Sequence, residues 1–263
     1  MSKAPNAHVD FSRYFAPKQR AFLINISEER DKEQYESLSG TIVSCHGDSV
    51  ALQIPYVTGQ ECPETTSTQQ TTYKLTSECM RDGIQVMADL VRVTANNVFH
   101  LKLRGGLEMY QRRQTPRIDT TINIFQIRRD ASLAVYRKEF KRIIDGMITK
   151  GIRPTLKLQE TPVNLSAGGI RIAIEEQEPA SPLTMVFLEL DPDQPFVCAV
   201  AELLWKRHEK GRLVCGYRFM QLRKADQERV SSYVLSILKK QGGTAPATRT
   251  YWELLDRMTN VEP

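Results

Sequence analysis

The chain has 263 residues, of which 41% are apolar and 25% are charged, and its formal net charge is +5. These values are ordinary for a globular protein of one large or two small domains, and they exclude intrinsic disorder, a collagen-like chain and a disulfide-stabilised miniprotein. No stretch approaches the ~20 consecutive apolar residues of a membrane-spanning helix, so we expect no span. The net charge alone is too small to indicate a nucleic-acid-binding protein.

Cysteine and histidine usage predicts neither disulfides nor a metal site. The five cysteines are odd in number and scattered, with no Cys-x-x-Cys pair, which is typical of reduced thiols in a cytoplasmic protein. His46 follows Cys45, but one adjacent pair does not supply the four ligands of a structural zinc ion. The N-terminus lacks the basic and then apolar layout of a signal peptide. We therefore expect a cytoplasmic protein without a metal.

The first part of the chain predicts a small β-barrel. Residues 1–37 form a polar N-terminal segment, interrupted by one apolar run at 21–26 that suits a short strand or helix. From residue 38 onwards, apolar residues alternate with polar ones in short runs, as at 50–54 and 84–90. Strands of this kind, separated by turns every 8–12 residues or so, indicate a barrel or sandwich. We place this unit at 38–105, where Gly105-Gly106 ends it.

The second part predicts another β unit, reached through a linker at 106–117. It covers 112–240 and contains a strand at 121–127, a helix at about 130–150 and an amphipathic helix at 226–240. The further strands are predicted at 156–160, 170–174, 185–190, 198–205 and 213–219. The last helix is expected to cover the barrel, although its pattern leaves a homodimer contact open. Trp205 and Tyr217 are predicted to be core residues, with the alternative that either lines the mouth of the barrel and adds a stacking wall. Residues 241–263 form a C-terminal tail.

The positive charge is concentrated in one part of the chain. Residues 102–142 contain eleven Lys and Arg against four Asp and Glu, a net charge of +7 that exceeds the +5 of the whole chain. Arg112, Arg113 and Arg117 lie at the predicted domain junction, beside Pro116. A guanidinium group binds phosphate oxygens two at a time and stacks on flat bases, which lysine cannot do. The cluster therefore favours an anionic nucleotide as its ligand.

A polar turn that contains glycine lies between two predicted strands, at residues 164–169, with the sequence Asn-Leu-Ser-Ala-Gly-Gly. Asn and Ser side chains bond either the turn backbone or a ligand. Two glycines permit positive φ and a close approach of the backbone to a ligand, and successive amide N–H groups can form a concavity that binds an anion. Taken alone, a turn of this kind is most often structural.

Together, the two segments resemble the PilZ domain. Residues 113–117, RQTPR, fit the motif RxxxR, and residues 164–169, NLSAGG, fit [D/N]xSxxG. The PilZ domain is a six-stranded barrel that binds cyclic di-GMP, and the order of predicted elements over 112–240 follows that of the family. The block at 38–105 looks like the PilZ-N barrel of flagellar-brake-type proteins. The resemblance implies a mainly β fold with two small β-barrels in tandem, the second having an inserted helix and a C-terminal amphipathic helix.

The resemblance assigns roles to the three arginines. Arg113 and Arg117 match the two motif arginines, which would contact the phosphates and the Hoogsteen edges of the guanines and stack on the bases. Arg112 occupies the preceding position, where an arginine in the family accompanies an intercalated pair of ligand molecules. We therefore expect two molecules of cyclic di-GMP at the site.

The resemblance also assigns roles to the polar turn. Asn164 and Ser166 would hydrogen-bond guanine or phosphate from the opposite wall, Gly169 would permit the turn, and Gly168 would allow close approach. Asn instead of Asp at position 164 is within the family pattern and removes one negative charge facing an anionic ligand. The separation between Arg117 and Asn164 is longer than usual, because the predicted helix is inserted between the two motif halves.

The implied function is that of a cyclic di-GMP receptor. Ligand binding would change the arrangement of the two domains and control a protein partner, such as a flagellar motor component or another surface machine. One alternative is a ligand-independent PilZ-fold adaptor. Another is a β-barrel that binds single-stranded nucleic acid, but the basic stretch at 112–129 offers only Phe125 as a stacking platform. No enzyme is expected, because the motifs GxxxxGK[ST], GxGxxG, GxSxG and HExxH are missing.

Overall fold

The computed structural model describes residues 10–27, 33–58, 71–79, 82–94, 96–110, 116–174, 181–209 and 211–242. The strands are β1 (Arg20–Asn25), β2 (Gln34–His46), β3 (Ser49–Gln53), β4 (Thr72–Cys79), β5 (Asp82–Val93), β6 (Val98–Tyr110), β7 (Ile118–Arg128), β8 (Gln159–Ser166), β9 (Gly169–Ile174), β10 (Leu183–Glu189), β11 (Val197–Glu209) and β12 (Arg212–Arg223). The helices are α1 (Leu133–Ile144), which continues into a π-helical turn at Asp145–Thr149, and α2 (Lys224–Lys240). Within the described part of the chain, neither helix has the length and apolarity to cross a membrane.

The strands form two closed antiparallel barrels of six strands each. The first ring runs β1-β4-β5-β6-β3-β2 and closes where β2 pairs with β1. The second runs β12-β11-β10-β7-β8-β9 and closes where β9 pairs with β12. Closure leaves no long unpaired edge in either sheet. The predicted fold class, mainly β with two small barrels in tandem, is confirmed.

The barrels are joined by a short ladder between β2 and β12. Residues Gln34, Tyr35 and Glu36 pair with Arg223, Leu222 and Gln221. The backbone N–H of Lys224, at the start of α2, also donates to the carbonyl of Glu33 at 2.8 Å. The C-terminal strand of the second barrel is therefore hydrogen-bonded to the first.

The first barrel extends beyond its predicted limits of 38–105. Strand β1 lies within the segment 1–37, and its buried Leu23 is opposite Leu38 of β2. Strand β6 does not end at Gly105, which has a φ of +79° and lies in an irregularity of the β5–β6 ladder. Glycine adopts this conformation without strain, so the strand bends there and continues to Tyr110.

The second barrel differs from the prediction at one strand. The strand predicted at 156–160 begins later, at Gln159, and continues through Asn164 to Ser166. The residues before it, 151–158, have no regular structure. The ladder between β8 and β7 begins at Gln159, which is opposite Ile124, so the residues before Gln159 have no strand pairing with β7.

The inserted helix packs between the two barrels. Leu133, Tyr136 and Phe140 of α1 are buried in the same cluster as apolar residues of the first barrel and of β10 and β11. The backbone N–H of Leu133 donates to the carbonyl of Val57 at 2.9 Å. Arg137 forms an ion pair with Glu36 of β2. Because α1 contacts both barrels, it restricts their relative position.

The C-terminal helix covers the second barrel, as expected. Val230 and Val234 of α2 are buried in the cluster that fills this barrel. The residues after 242 lie outside the described part of the chain, and so does most of the predicted tail at 241–263.

Candidate functional site

A cavity of about 470 Å³ lies between the two barrels. The second barrel lines it with five of the residues singled out in the sequence, namely Arg117, Asn164, Ser166, Gly168 and Gly169. The first barrel lines it from β1, β2, β4 and β5. The volume is within the range of about 300–1,000 Å³ for small-molecule sites. Arg112 and Arg113 lie outside the described residues.

Strand pairing brings the two motif halves together despite the insertion. Ile118 is opposite Leu165, and Asp119 is opposite Asn164. Arg117, one residue before β7, therefore lies beside the end of β8. The chain between Arg117 and Asn164 runs away from this end of the barrel along β7 and returns along β8 after α1. The inserted helix therefore does not separate the two motif halves in space.

The polar turn is a tight hairpin between β8 and β9. Ser166 pairs with Gly169, and its hydroxyl donates to the carbonyl of Gly169 at 3.3 Å. Neither glycine uses its freedom to adopt positive φ, since neither is among the residues with φ in the left-handed region. Gly169 is needed for a steric reason instead, because a Cβ there would lie 2.4 Å from the carbonyl oxygen of Tyr217. Gly168 is exposed, and a Cβ there would meet no atom within 4 Å.

Asp119 orients two side chains at the cavity. One of its carboxylate oxygens accepts from Asn164 Nδ2 at 3.0 Å and from Arg171 Nη2 at 3.0 Å. The amide of Asn164 therefore donates to Asp119, and its oxygen remains as an acceptor. Arg171 also lines the cavity, so this carboxylate sets the direction of both polar groups.

A buried ion pair connects the cavity with the barrel junction. Arg218 of β12 lines the cavity, and its Nη2 lies 3.4 Å from Glu202 Oε2. The other carboxylate oxygen of Glu202 accepts a hydrogen bond from Ser39 of β2. Arg218 Nη2 also lies 3.5 Å from the carbonyl oxygen of Ser37, and its guanidinium carbon lies 4.3 Å from the ring centroid of Phe22. One arginine thus contacts both the first barrel and the cavity.

Trp205 forms an apolar shelf on the cavity wall. A Cβ at Gly216 would lie 2.2 Å from the indole ring, so the ring rests directly on the backbone of β12. The prediction that Trp205 is a core residue is wrong, because its side chain is exposed. Tyr217, the next residue after this glycine, is buried as predicted. An exposed indole is suited to stacking on a flat base, and the guanidinium carbon of Arg207 already lies 5.1 Å from the ring centroid.

The electrostatics of the cavity favour an anion. Its basic lining residues are Lys74, Arg117, Arg171 and Arg218, and no carboxylate is among the described residues that line it. Positive side chains that converge on a partly enclosed space bind a phosphate more strongly than exposed ones, because water screens them less.

The described residues contain no cluster of three or more His, Cys, Asp or Glu side chains that could hold a metal ion. Burial raises the pKa of the Cys198 and Cys215 thiols. Both therefore remain protonated at neutral pH and behave as core residues rather than nucleophiles.

Comparison with known proteins identifies the family of the second barrel. The family model described as the PilZ domain matches residues 111–236. A search of curated protein sequences finds no relative that matches the chain.

Several solved structures are similar to the chain at low identity. The inhibitor of motility MotI/DgrA of Bacillus subtilis is 12% identical with a TM-score of 0.35, over 85% of this chain and 98% of its own. YcgR of Escherichia coli, solved in complex with c-di-GMP, is 12% identical with a TM-score of 0.32, over 94% of this chain and 91% of its own. The MrkH–c-di-GMP complex of K. pneumonia is 12% identical with a TM-score of 0.30, over 88% and 92%.

Three basic residues of the cavity were not found by sequence reasoning. Arg171 follows Gly169 by two positions in β9, so strand alternation places both residues on one face. This spacing can be read from the sequence and would have placed Arg171 beside the polar turn. Arg218 pairs with Gly169 across β9 and β12, which requires knowledge of the barrel closure. Lys74 belongs to the other barrel and carries no sequence signal.

The two glycines of the turn should respond differently to alanine. Gly169→Ala should lower the free energy of unfolding by about 1–3 kcal/mol, because the new methyl group overlaps the β12 backbone. Gly168→Ala should leave the free energy of unfolding within about 0.5 kcal/mol of wild type or raise it slightly, because its Cβ has space. Urea denaturation of both variants measures this. Equal destabilisation by the two substitutions would contradict the steric role of Gly169.

Proposed function

We propose that this chain, which belongs to the PilZ family over residues 111–236, is a receptor for cyclic di-GMP. The observation that carries the proposal is the cavity between the barrels, where Arg117 meets Asn164, Ser166 and Gly168. These residues are distant in sequence and belong to the two halves of the ligand-binding motif. In this proposal the chain is a binding protein of the cytoplasm rather than an enzyme.

The cavity chemistry suits a dianionic dinucleotide. Arg117, together with Arg113, would contact phosphates and guanine edges, since guanidinium groups bind oxygens in a bidentate manner and stack on bases. The side-chain oxygen of Asn164 would accept from a guanine N–H group, because the bond from its Nδ2 to Asp119 fixes the orientation of the amide. Trp205 supplies an apolar surface for a base. Gly168 leaves the hairpin backbone open to the ligand.

We infer that two ligand molecules bind together. This inference rests on Arg112, which precedes the motif arginines in the position that the family associates with an intercalated pair. Stacked bases would expose their edges to the polar turn at 164–169 on one side. On the other side they would face the three arginines, Arg112, Arg113 and Arg117.

Ligand binding would act on the barrel junction through Arg218. The same guanidinium group contacts Glu202, the carbonyl of Ser37 and the cavity. A phosphate that approaches Arg218 competes both with Glu202 of the same barrel and with the Ser37 carbonyl of the first barrel, so the ligand would have different affinities for different arrangements of the barrels. A ligand shifts a conformational equilibrium only by such a difference. The changed surface would then control a protein partner, for which the flagellar-brake resemblance favours the motility machinery.

Calorimetric titration with cyclic di-GMP tests the receptor function. Wild type should release heat, whereas Arg113→Ala/Arg117→Ala should bind at least about 10- to 100-fold more weakly, because each lost charge-assisted hydrogen bond contributes roughly 1.5–3 kcal/mol. Lys141→Ala/Arg142→Ala on the exposed side of α1 removes the same charge and should bind like wild type. Absence of heat from wild type would contradict the proposal and favour the ligand-independent adaptor. Equal binding by the two double variants would contradict the assigned arginines.

The stoichiometry of the same titration tests the pair of ligands. We expect two molecules per chain for wild type and one for Arg112→Ala, because that arginine would contact the second molecule. Sedimentation of the complexes provides an independent count. A value of one for both proteins would remove the paired-ligand inference and leave the receptor function intact.

Glu202→Gln tests the competition at Arg218. The substitution removes the carboxylate that holds this arginine, so the variant should bind cyclic di-GMP severalfold more tightly. It should also lower the free energy of unfolding by about 1–3 kcal/mol, since it removes the charge-assisted contact of a partly buried guanidinium. The control is Glu209→Gln on the same strand, whose carboxylate is paired with Arg207 at the surface. Unchanged or weaker binding by Glu202→Gln at a temperature where it is folded would argue against competition.

A further inference from the structure

The inserted helix α1 and the residues that follow it carry a concentrated positive charge. Residues 137–157 contain seven Lys and Arg against Glu139 and Asp145, a net charge of +5 that equals the charge of the whole chain. The cations are Arg137, Lys138, Lys141, Arg142, Lys150, Arg153 and Lys157. None of these seven residues lines the cavity between the barrels, so binding of the dinucleotide does not account for this charge.

Helical spacing collects part of this charge on the outward face of α1. The opposite, apolar face of the helix is buried against the barrels. Val135, Lys138 and Arg142 are exposed at positions i, i+3 and i+7, which places them on one side of the helix. Lys141 is exposed beside them. Val135 is 51% exposed, so this basic face also presents an aliphatic side chain to the outside.

The chain after α1 continues the same mixture of cations and aliphatic side chains. Ile148, in the π-helical turn, is 45% exposed and Ile152 is 55% exposed, with the exposed Lys150 between them. The backbone N–H of Ile152 donates to the carbonyl of Gly146 at 3.0 Å. This bond ties the segment to the end of the helix, so its exposed side chains are presented from a fixed turn.

The arginines of this region are bound to carboxylates, whereas its lysines are not. The ion pairs are Arg137–Glu36, Arg142–Glu139 and Arg153–Glu189. Lys138, Lys141 and Lys150 form no ion pair with a carboxylate among the described residues. Their ammonium groups can therefore bind an external anion without first breaking an internal pair.

We propose that this surface docks the protein on a membrane that contains anionic lipids. Clusters of Lys and Arg on an amphipathic helix are typical of attraction to anionic headgroups. Exposed aliphatic side chains add affinity where they enter the boundary between the headgroups and the acyl chains. The residues of this α1 surface are Val135, Lys138, Lys141, Ile148, Lys150 and Ile152.

The chemistry of the α1 surface favours lipid headgroups over an acidic polypeptide. Peptide recognition by strand addition or by helix binding needs a sheet edge or a groove, whereas the outward face of a helix is convex. An ammonium group is a point charge on a flexible stem, and lipid headgroups diffuse laterally. Lysines spread over the helix and the following turn can therefore each acquire a headgroup, without the matched spacing that a folded partner requires.

Co-sedimentation of the full chain with vesicles tests this docking. Wild type should sediment with vesicles of phosphatidylglycerol and phosphatidylcholine, and it should stay in the supernatant with phosphatidylcholine alone. Lys138→Gln/Lys141→Gln/Lys150→Gln should lower the partition coefficient about 100-fold, because each lysine near an anionic surface contributes about fivefold. Binding of wild type should fall steeply with salt, and that of the variant should fall less steeply.

The matched control removes three exposed lysines of the other helix. Lys224→Gln/Lys239→Gln/Lys240→Gln makes the same change in net charge on α2, and it should sediment within about twofold of wild type, because these residues lie outside the α1 surface. Equal sedimentation of the two triple variants would overturn the proposal, since binding would then depend on net charge alone. Urea midpoints verify that each variant is folded.

The aliphatic side chains are tested separately. Val135→Ser/Ile152→Ser should lower the partition coefficient about tenfold, because two apolar side chains no longer enter the bilayer boundary. The salt dependence should remain that of wild type, since no charge is removed. Unchanged binding by this variant would overturn the insertion of these side chains.

The inference goes beyond the proposed function, and the two fail separately. Calorimetry of Lys138→Gln/Lys141→Gln/Lys150→Gln with cyclic di-GMP should match wild type, because these lysines lie outside the cavity. Absence of ligand binding by wild type would contradict the receptor function and leave membrane docking intact. If wild type does not sediment with anionic vesicles, docking is overturned. Binding of polyglutamate or duplex DNA through the same lysines would then assign the surface to an acidic macromolecule.

Discussion

The buried pair of Arg218 and Glu202 connects the parts of this structure that matter for function. Glu202 is buried and Arg218 is only partly exposed, so the carboxylate depends on its partner more than the guanidinium does. Glu202 also accepts from Ser39, and Arg218 lies over the ring of Phe22, both in the first barrel. Because Arg218 borders the cavity as well, its contacts with the first barrel are exposed to whatever anion occupies the space between the barrels.

The location of the cavity follows from the architecture. Both barrels are closed, and their interiors are filled by apolar side chains. A closed barrel of this size has space for its own side chains and little else, so a polar ligand of dinucleotide size is confined to an outer surface. The junction is the place where two such surfaces face each other. Lys74 on one wall and the arginines on the other make that junction positive, which explains why an anion is the favoured occupant.

Several features of the site were predictable from the chain itself. Segments 113–117 and 164–169 stand out in the sequence because arginine pairs bind phosphates and glycine-containing polar turns can bind anions. Arg117 of the first segment and Asn164 of the second line the same cavity. The mainly β fold was predictable because strand alternation is a local property. The role of Gly169 was not, because its requirement comes from the backbone of β12 rather than from its own φ. The exposure of Trp205 was missed for a similar reason: its ring rests on Gly216 of the neighbouring strand, and no pattern within β11 reveals that.

The sequence by itself determined the element types, the two β units and the concentration of arginines beside a polar turn, since all of these depend on residues close to one another in the chain. Tertiary structure alone decided that β7 pairs with β8 in a register that joins the motif halves across the inserted helix. It also decided that α1 packs between the barrels and that β1 and β4 form the second wall of the cavity. These outcomes depend on strand closure and on contacts between distant segments, which residue patterns along a single chain do not encode in a readable form.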